Sequence, residues 1–110
     1  MDSNSMPYEI QEVVMVIKNT VNCEKIYLFG SYAYGNPSDA SDFDIYVVLA
    51  NDSIRPLDAR RRIYKNLLAN KLNKSVDILA CYTRDFKSLS KLPSLERKIV
   101  REGILIYEQK

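Results

Sequence analysis

Three acidic residues and one Gly-Ser step carry the chemistry this sequence can offer. Asp42 and Asp44 stand two apart in Ser41-Asp42-Phe43-Asp44-Ile45, at the start of an alternating stretch. Residues two apart in a strand project from the same face, so two anions are held side by side. Such a pair repels itself unless something cationic sits between its members. Mg²⁺ is the natural candidate, a hard ion that takes a few carboxylates together with phosphate oxygens. Asp77 lies between Val76 and Ile78, in a strand pattern where an acidic residue needs a reason to be. A neighbouring strand would bring it to the same metal. Three carboxylates around one or two ions stabilise both the attacking and the leaving oxygen in phosphoryl transfer. In that arrangement Asp77 also helps to deprotonate an acceptor hydroxyl, as a general base or through the metal.

Gly30-Ser31 supplies the anion-binding half. The apolar run from Ile26 to Phe29 ends at Gly30, and Ser31 opens a helical turn. Glycine allows the backbone to approach a ligand closely. Amides at the start of a helix hold phosphate oxygens, and the Ser31 hydroxyl adds a donor. Plainer readings exist for each residue alone. Asp42 and Asp44 could be a solvated strand entry, Asp77 a strand-end residue facing water, Gly30 a simple turn and Ser31 a helix cap. Their combination favours the site.

The elements that must position these residues follow from periodicity. Pro7 suits a first helical turn, and Ile10, Val13, Val14, Ile17 and Val21 give a buried helical stripe, closed by Asn22 and Cys23. Ile26 to Phe29 reads as a central strand. Ser31 to Ser41 reads as a helical turn and a loop, broken at Gly35-Asn36-Pro37. Asp42 to Ala50 is the clearest strand: Phe43, Ile45, Val47 and Leu49 on one face, Asp42, Asp44, Tyr46 and Val48 on the other. A long helix is expected from Pro56 to Leu72, with Leu57, Tyr64, Leu67, Leu68 and Lys71 or Leu72 along one side and Asn70 and Asn73 at its end. Ser75 to Tyr82 is a third strand, Asp85 to Leu89 a weak helical turn, Leu95 to Glu102 a helix capped by Ser94 and stopped by Gly103, and Ile104 to Tyr107 a short strand. The order implies an α/β (α+β) fold, a small mixed sheet with helices over at least one face. Residues 1–110 are expected to form a single domain, with 1–5 disordered.

Composition narrows the function classes. The 110 residues carry a formal net charge of +2, so direct nucleic-acid binding is not indicated by any general electrostatic pull. With no histidine and two isolated cysteines, Cys23 and Cys81, a zinc site or a Ser/His or Cys/His nucleophile lacks its parts. Isolated thiols fit a reducing cytosol. The polar start, Met1 to Met6, has no secretory signal pattern, and the apolar runs are too short for a bilayer. A cytoplasmic protein without membrane contact is the expectation. No Gly-Lys-Ser or Gly-Lys-Thr of a Walker loop occurs. Arg60, Arg61, Arg62 and Lys65 read as a solvated helix face, or as a docking surface for an acidic partner or the nucleotide tail. Of the eight tyrosines, Tyr27, Tyr32, Tyr34, Tyr46 and Tyr82 fall around the site in sequence. They suit packing with the hydroxyl at a wet edge, with Tyr34 or Tyr32 available to stack on a base.

Gly30-Ser31, a short loop, Ser41-Asp42-x-Asp44-Ile45 in a strand and Asp77 in a later strand together resemble the DNA polymerase beta superfamily of nucleotidyltransferases. The length is similar to that of its minimal nucleotidyltransferases. The resemblance implies the palm-like nucleotidyltransferase fold and Mg²⁺-dependent transfer, with two ions, of a nucleotidyl group from ATP or another nucleoside triphosphate. Carried over by position, Gly30 and Ser31 bind phosphates, and Asp42, Asp44 and Asp77 are metal-binding and catalytic. Tyr34 departs from the pattern, because many relatives carry arginine there and tyrosine supplies no such charge. The acceptor implied is a hydroxyl on a HEPN-domain toxin, with this chain as antitoxin. Alternatives are a non-catalytic nucleotide- and partner-binding subunit and an antibiotic-modifying nucleotidyltransferase. Homo-oligomers are compatible with every one of these readings.

Overall fold

The computed structural model describes residues 7–35, 37, 42–72 and 74–110. The expected disorder at 1–5 and parts of the expected breaker and helix end, Asn36 and Asn73, lie outside the described residues, as does Ser41. Helix α1, Tyr8–Thr20, starts after Pro7 and buries Ile10, Val13 and Ile17, spaced to keep one stripe inward. Strand β1, Cys23–Phe29, leads through Gly30 into the short helix α2, Ser31–Tyr34. Strand β2, Phe43–Leu49, is followed by α3, Pro56–Leu68, and β3, Val76–Tyr82. Helices α4, Thr83–Ser90, and α5, Leu95–Glu102, precede the last strand β4, Ile104–Glu108.

The four strands form one mixed sheet in the order β3-β2-β1-β4. β1 runs antiparallel to both β2 and β4, whereas β2 and β3 are parallel. Parallel neighbours need a crossover, and α3 provides it. The alternation in β2 divides the interior as its pattern demands. Phe43, Ile45, Val47 and Leu49 join Ile26, Leu28 and Ile78 under α1 and α3. On the other face, Tyr46 and Val48 join Tyr27 beneath Phe86 of α4 and Ile99 of α5. Both faces are therefore covered, more than the single face required by the sequence pattern. Aromatic contacts knit the second layer: Phe86 stacks on Tyr27 with centroids 5.6 Å apart and tilts against Tyr46 at 5.1 Å.

Several expectations shift. Cys23 begins β1 and is buried there, so the helix ends before it. Helix α3 stops at Leu68 and turns a different side inward. Ala59, Ile63 and Leu67 are buried, while Leu57 and Leu68 face solvent at 53% and 80% exposure. The stripe at i, i+4 and i+8 places the small Ala59 where α3 lies close to the sheet, which a count of large apolar residues overlooks. The weak turn near Asp85 is a full helix. Its first residue, Thr83, is buried and donates its hydroxyl to the Leu49 carbonyl at 3.0 Å. Ser94 caps α5 as expected, accepting from the Arg97 amide at 3.1 Å.

Gly103 follows α5 in extended backbone, not in a left-handed cap. It is needed for space: a Cβ there would meet the Ile99 carbonyl oxygen at 2.6 Å and the Leu28 carbonyl oxygen at 3.1 Å. Gly103→Ala is therefore expected to push α5 off β1 and to lower stability by about 1–3 kcal/mol, the usual range for forced overpacking. Urea unfolding followed by circular dichroism measures this, and an unchanged midpoint would show that the joint is loose.

Candidate active site

One end of the sheet, where β1 finishes and β2 and β3 begin, gathers the sequence-predicted residues. Phe29 pairs with Asp44 across β1 and β2, and Asp44 pairs with Asp77 across β2 and β3. Paired residues on neighbouring strands share a face, with strands about 4.8 Å apart. Asp44 and Asp77 thus stand side by side, on the face that also carries Tyr46 and lies under α4 and α5. Asp44 is half-buried, whereas Asp77 and, just ahead of β2, Asp42 are exposed. Burial first, then the charges of Asp77 and Asp42, raise the Asp44 carboxyl above its ordinary value. Asp44 therefore feels both other acids, as the sequence pattern requires.

Gly30 meets this cluster from β1. Its φ of 74° and ψ of −158° belong to a region that residues with side chains rarely adopt. A Cβ at residue 30 would overlap the Asp44 carboxylate oxygen and approach its Cγ to 2.9 Å. The carboxylate fills the space that the missing side chain leaves. From Gly30 the chain turns directly into α2, whose Ala33 and Tyr34 amides both donate to the Gly30 carbonyl at 3.0 Å. The earliest amides of a helix have no carbonyl within it to bond. The start of α2 is thus set next to the Asp44 carboxylate. Ser31 is half-buried at the head of this turn.

Among the described residues, no three Asp, Glu, Cys or His side chains form a ready-made metal cage. Open, partly exposed carboxylates suit a hard cation that keeps water and shares phosphate oxygens, which is how Mg²⁺ is usually held. Burial contributes most to the raised pKa of Asp44, its two acidic neighbours add to it, and a divalent cation would offset that repulsion. The donor set therefore fits Mg²⁺.

Other expectations sort differently. Tyr46 and Tyr27 are buried, not at a wet edge. Tyr46 donates to Glu96 of α5 at 2.8 Å and also reaches the Cys81 sulfur at 3.2 Å. Tyr32 packs edge-on against Phe43, with centroids 4.8 Å apart, which engages its ring in the layer under α1 and α3. Arg60 is half-buried and donates to the Ile78 carbonyl at 2.7 Å, so it pins α3 to β3 and does not belong to a solvated face. Arg61 and Arg62 remain exposed. The sequence gives no warning of Lys98. Its ammonium lies 4.7 Å from the centre of the Tyr34 ring, so α5 delivers positive charge to position 34. A lysine on an exposed helical face carries no local signal of such a role.

The sheet order, the pairing of Asp44 with Asp77 and the Gly30 turn define a palm-like nucleotidyltransferase architecture. The family model described as "Polymerase beta, Nucleotidyltransferase" matches residues 11–110, and the chain belongs to that family. No curated protein matches it in sequence. Among solved structures, it is similar to a toxin-antitoxin crystallised with AMP-PNP, at 24% identity and a TM-score of 0.65 over 91% of this chain and 73% of that one. A nucleotidyltransferase described as putative, from Sulfolobus solfataricus, aligns at 22% identity with a TM-score of 0.58 over 91% and 78% of the two chains. A mutant of the toxin-antitoxin MntA-HpeT aligns at 23% identity with a TM-score of 0.63, covering 96% and 76%. These likenesses bear on the fold. Among the described residues, no helix is long and apolar enough to cross a membrane.

Two variants test the geometry without any activity assay. Gly30→Ala should lose about 1–3 kcal/mol, because it combines a disfavoured backbone with a collision at Asp44; unfolding by urea reads the loss. Asp44→Asn should have the opposite sign in metal-free protein. The folded state disfavours ionised Asp44, so its destabilising effect is complete above the raised folded pKa. That effect fades as pH falls through that value toward the ordinary 3.8. At pH 7 in chelator, Asp44→Asn should be at least as stable as the wild type, and the difference should close in acid. A clear loss of stability would make Asp44 a structural residue.

Proposed function

We propose that the chain transfers a nucleotidyl group, AMP from ATP, to a hydroxyl on a HEPN-type toxin protein and so acts as its antitoxin. The observation that carries this is the pairing of Asp44 with Asp77 beside the side-chain-free Gly30, within a nucleotidyltransferase family chain. Support for ATP and for a toxin partner comes from the similar structures, one a toxin-antitoxin with AMP-PNP. In this reading residues 1–110 work as one domain in the cytoplasm.

Each group has a role that its position suits. Asp42 and Asp44 would hold Mg²⁺, with Asp77 as the third carboxylate. Bound Mg²⁺ would draw charge from the triphosphate oxygens and make the acceptor hydroxyl easier to ionise. The Gly30-Ser31 backbone and the Ser31 hydroxyl hold phosphate oxygens. Asp77, exposed at the start of β3, takes the proton of the acceptor hydroxyl. The acceptor oxygen then bonds to the α-phosphorus, the bond from that phosphorus to the bridging oxygen breaks, and pyrophosphate leaves. Holding acceptor and phosphate in line supplies most of the remaining rate.

The test is transfer of label from α-labelled ATP, with Mg²⁺, to a co-purified HEPN-type protein. Label should appear on that protein with the wild type. It should fall on the order of 10²–10⁴-fold with Asp77→Asn, as expected for loss of a positioned base. Asp44→Asn should lose transfer and metal-dependent ATP binding together. No label on the partner at saturating Mg²⁺ would sink the modification reading.

A further inference from the structure

We infer that Lys98 of α5, held on the Tyr34 ring, is a binding residue for the β- and γ-phosphates of the nucleoside triphosphate. This rests on the reading above and adds to it a group that the motif does not contain. The Lys98 ammonium lies 4.7 Å from the Tyr34 ring centre, within cation–π range. Tyr34 is the last residue of α2, the helix that Gly30 and Ser31 open. A long lysine side chain is normally spread over many rotamers, and the ring restricts it to the end of α2.

Helix α5 is fixed on the carboxylate face of the sheet by contacts independent of Lys98. Ile99 is fully buried against Tyr27 and Tyr46. Glu96 accepts the Tyr46 hydroxyl at 2.8 Å, and Tyr46 follows Asp44 by two positions on the same face of β2. At the other end of α5, Gly103 lies against the Leu28 carbonyl. Lys98 therefore belongs to the layer on the face of the sheet that carries Asp44 and Asp77. Lys74 also stands over a tyrosine, Tyr32, but that ring packs on Phe43 in the opposite layer. Of these two lysines, only Lys98 shares the carboxylate face.

Charge and satisfaction point the same way. Lys98 is exposed and forms no ion pair among the described residues. The Tyr34 hydroxyl is buried without a hydrogen-bond partner among them. A buried hydroxyl without a partner is costly to maintain, and here it belongs to the ring on which the lysine sits, at the end of α2. Carboxylates that gather a metal also repel a triphosphate, and the protein needs a cation on the phosphate side. An ammonium acts there as a point charge, suited to the several oxygens of a β,γ-pyrophosphate unit.

Calorimetry on the whole chain, with Mg²⁺, reads the assignment through three probes: ATP, AMP and inorganic triphosphate. Lys98→Gln should weaken ATP and inorganic triphosphate roughly tenfold and leave AMP unchanged, with a smaller salt dependence of ATP binding. Lys98→Arg should restore most of the loss. Tyr34→Leu should weaken the same two ligands by freeing the lysine, whereas Tyr34→Phe should keep the ring's effect. Unchanged melting temperatures would show that the fold is intact. Equal weakening of all three probes would mean that Lys98 only shapes α5, and would overturn the assignment. Unchanged binding in Lys98→Gln, with tight Mg²⁺-dependent ATP binding by the wild type, would overturn it while leaving nucleotidyl transfer standing. A wild type that binds neither ATP nor inorganic triphosphate would overturn both.

Discussion

The contact on which the site depends is the occupation by the Asp44 carboxylate of the space where residue 30 has no side chain. It brings the end of β1 against the start of β2 at the point where one strand hands over to a helix and the other carries acid. A side chain at 30 collides with the carboxylate and is strained at φ 74°. The backbone amides that begin α2 and the carboxylates that begin β2 and β3 are thereby fixed within one small volume.

The sheet extends this constraint outward. Because β2 and β3 are parallel and in register, Asp77 joins Asp44 without any bend in the ladder. The face they share becomes apolar within two residues, at Tyr46 and Leu79. Acid is therefore placed where a sheet can bear it, at strand entries open to solvent, with the dry layer starting behind. Asp44 still bears a cost, visible as a carboxyl raised by burial and by its two acidic neighbours. A fold arranged only for stability would not keep three acids there. The stable part of the structure, Ile63, Ile78, Leu49 and their neighbours, lies on the other face, under α1 and α3.

The α4–α5 layer closes the aromatic packing on the face that carries the acids. Phe86 and Ile99 close the face around Tyr27 and Tyr46. The Tyr46–Glu96 hydrogen bond fixes the first turn of α5 above the strand that carries Asp44. Burial and its acceptors push the Tyr46 hydroxyl far above its ordinary pKa, so it stays a donor at any working pH. The same helix then brings Lys98 to Tyr34. A segment that reads as a short charged helix thus links the strand of Asp44 to the end of α2.

Much of this was legible in the residues themselves. Alternation in β2 told which side chains face which layer, because a strand has a period of two. The Gly-Ser step, the Asp-x-Asp pair and Asp77 could be read because each needs a particular backbone setting, a strand end or a strand entry, that local pattern reveals. The α3 stripe could not be read correctly, since Ala59 carries little hydrophobic signal and Leu57 and Leu68 carry a misleading one; which side is buried depends on what lies opposite. Arg60 and Lys98 were equally opaque. Each looks like a solvated charge until the fold sets a carbonyl of β3 beside one and a tyrosine ring of α2 beside the other. The sequence by itself determined the elements, the layer pattern and the identity of the acids. Tertiary structure alone decided their register, the seating of Asp44 against Gly30 and the arrival of α5 over the site, because contacts between distant segments depend on packing and not on local period.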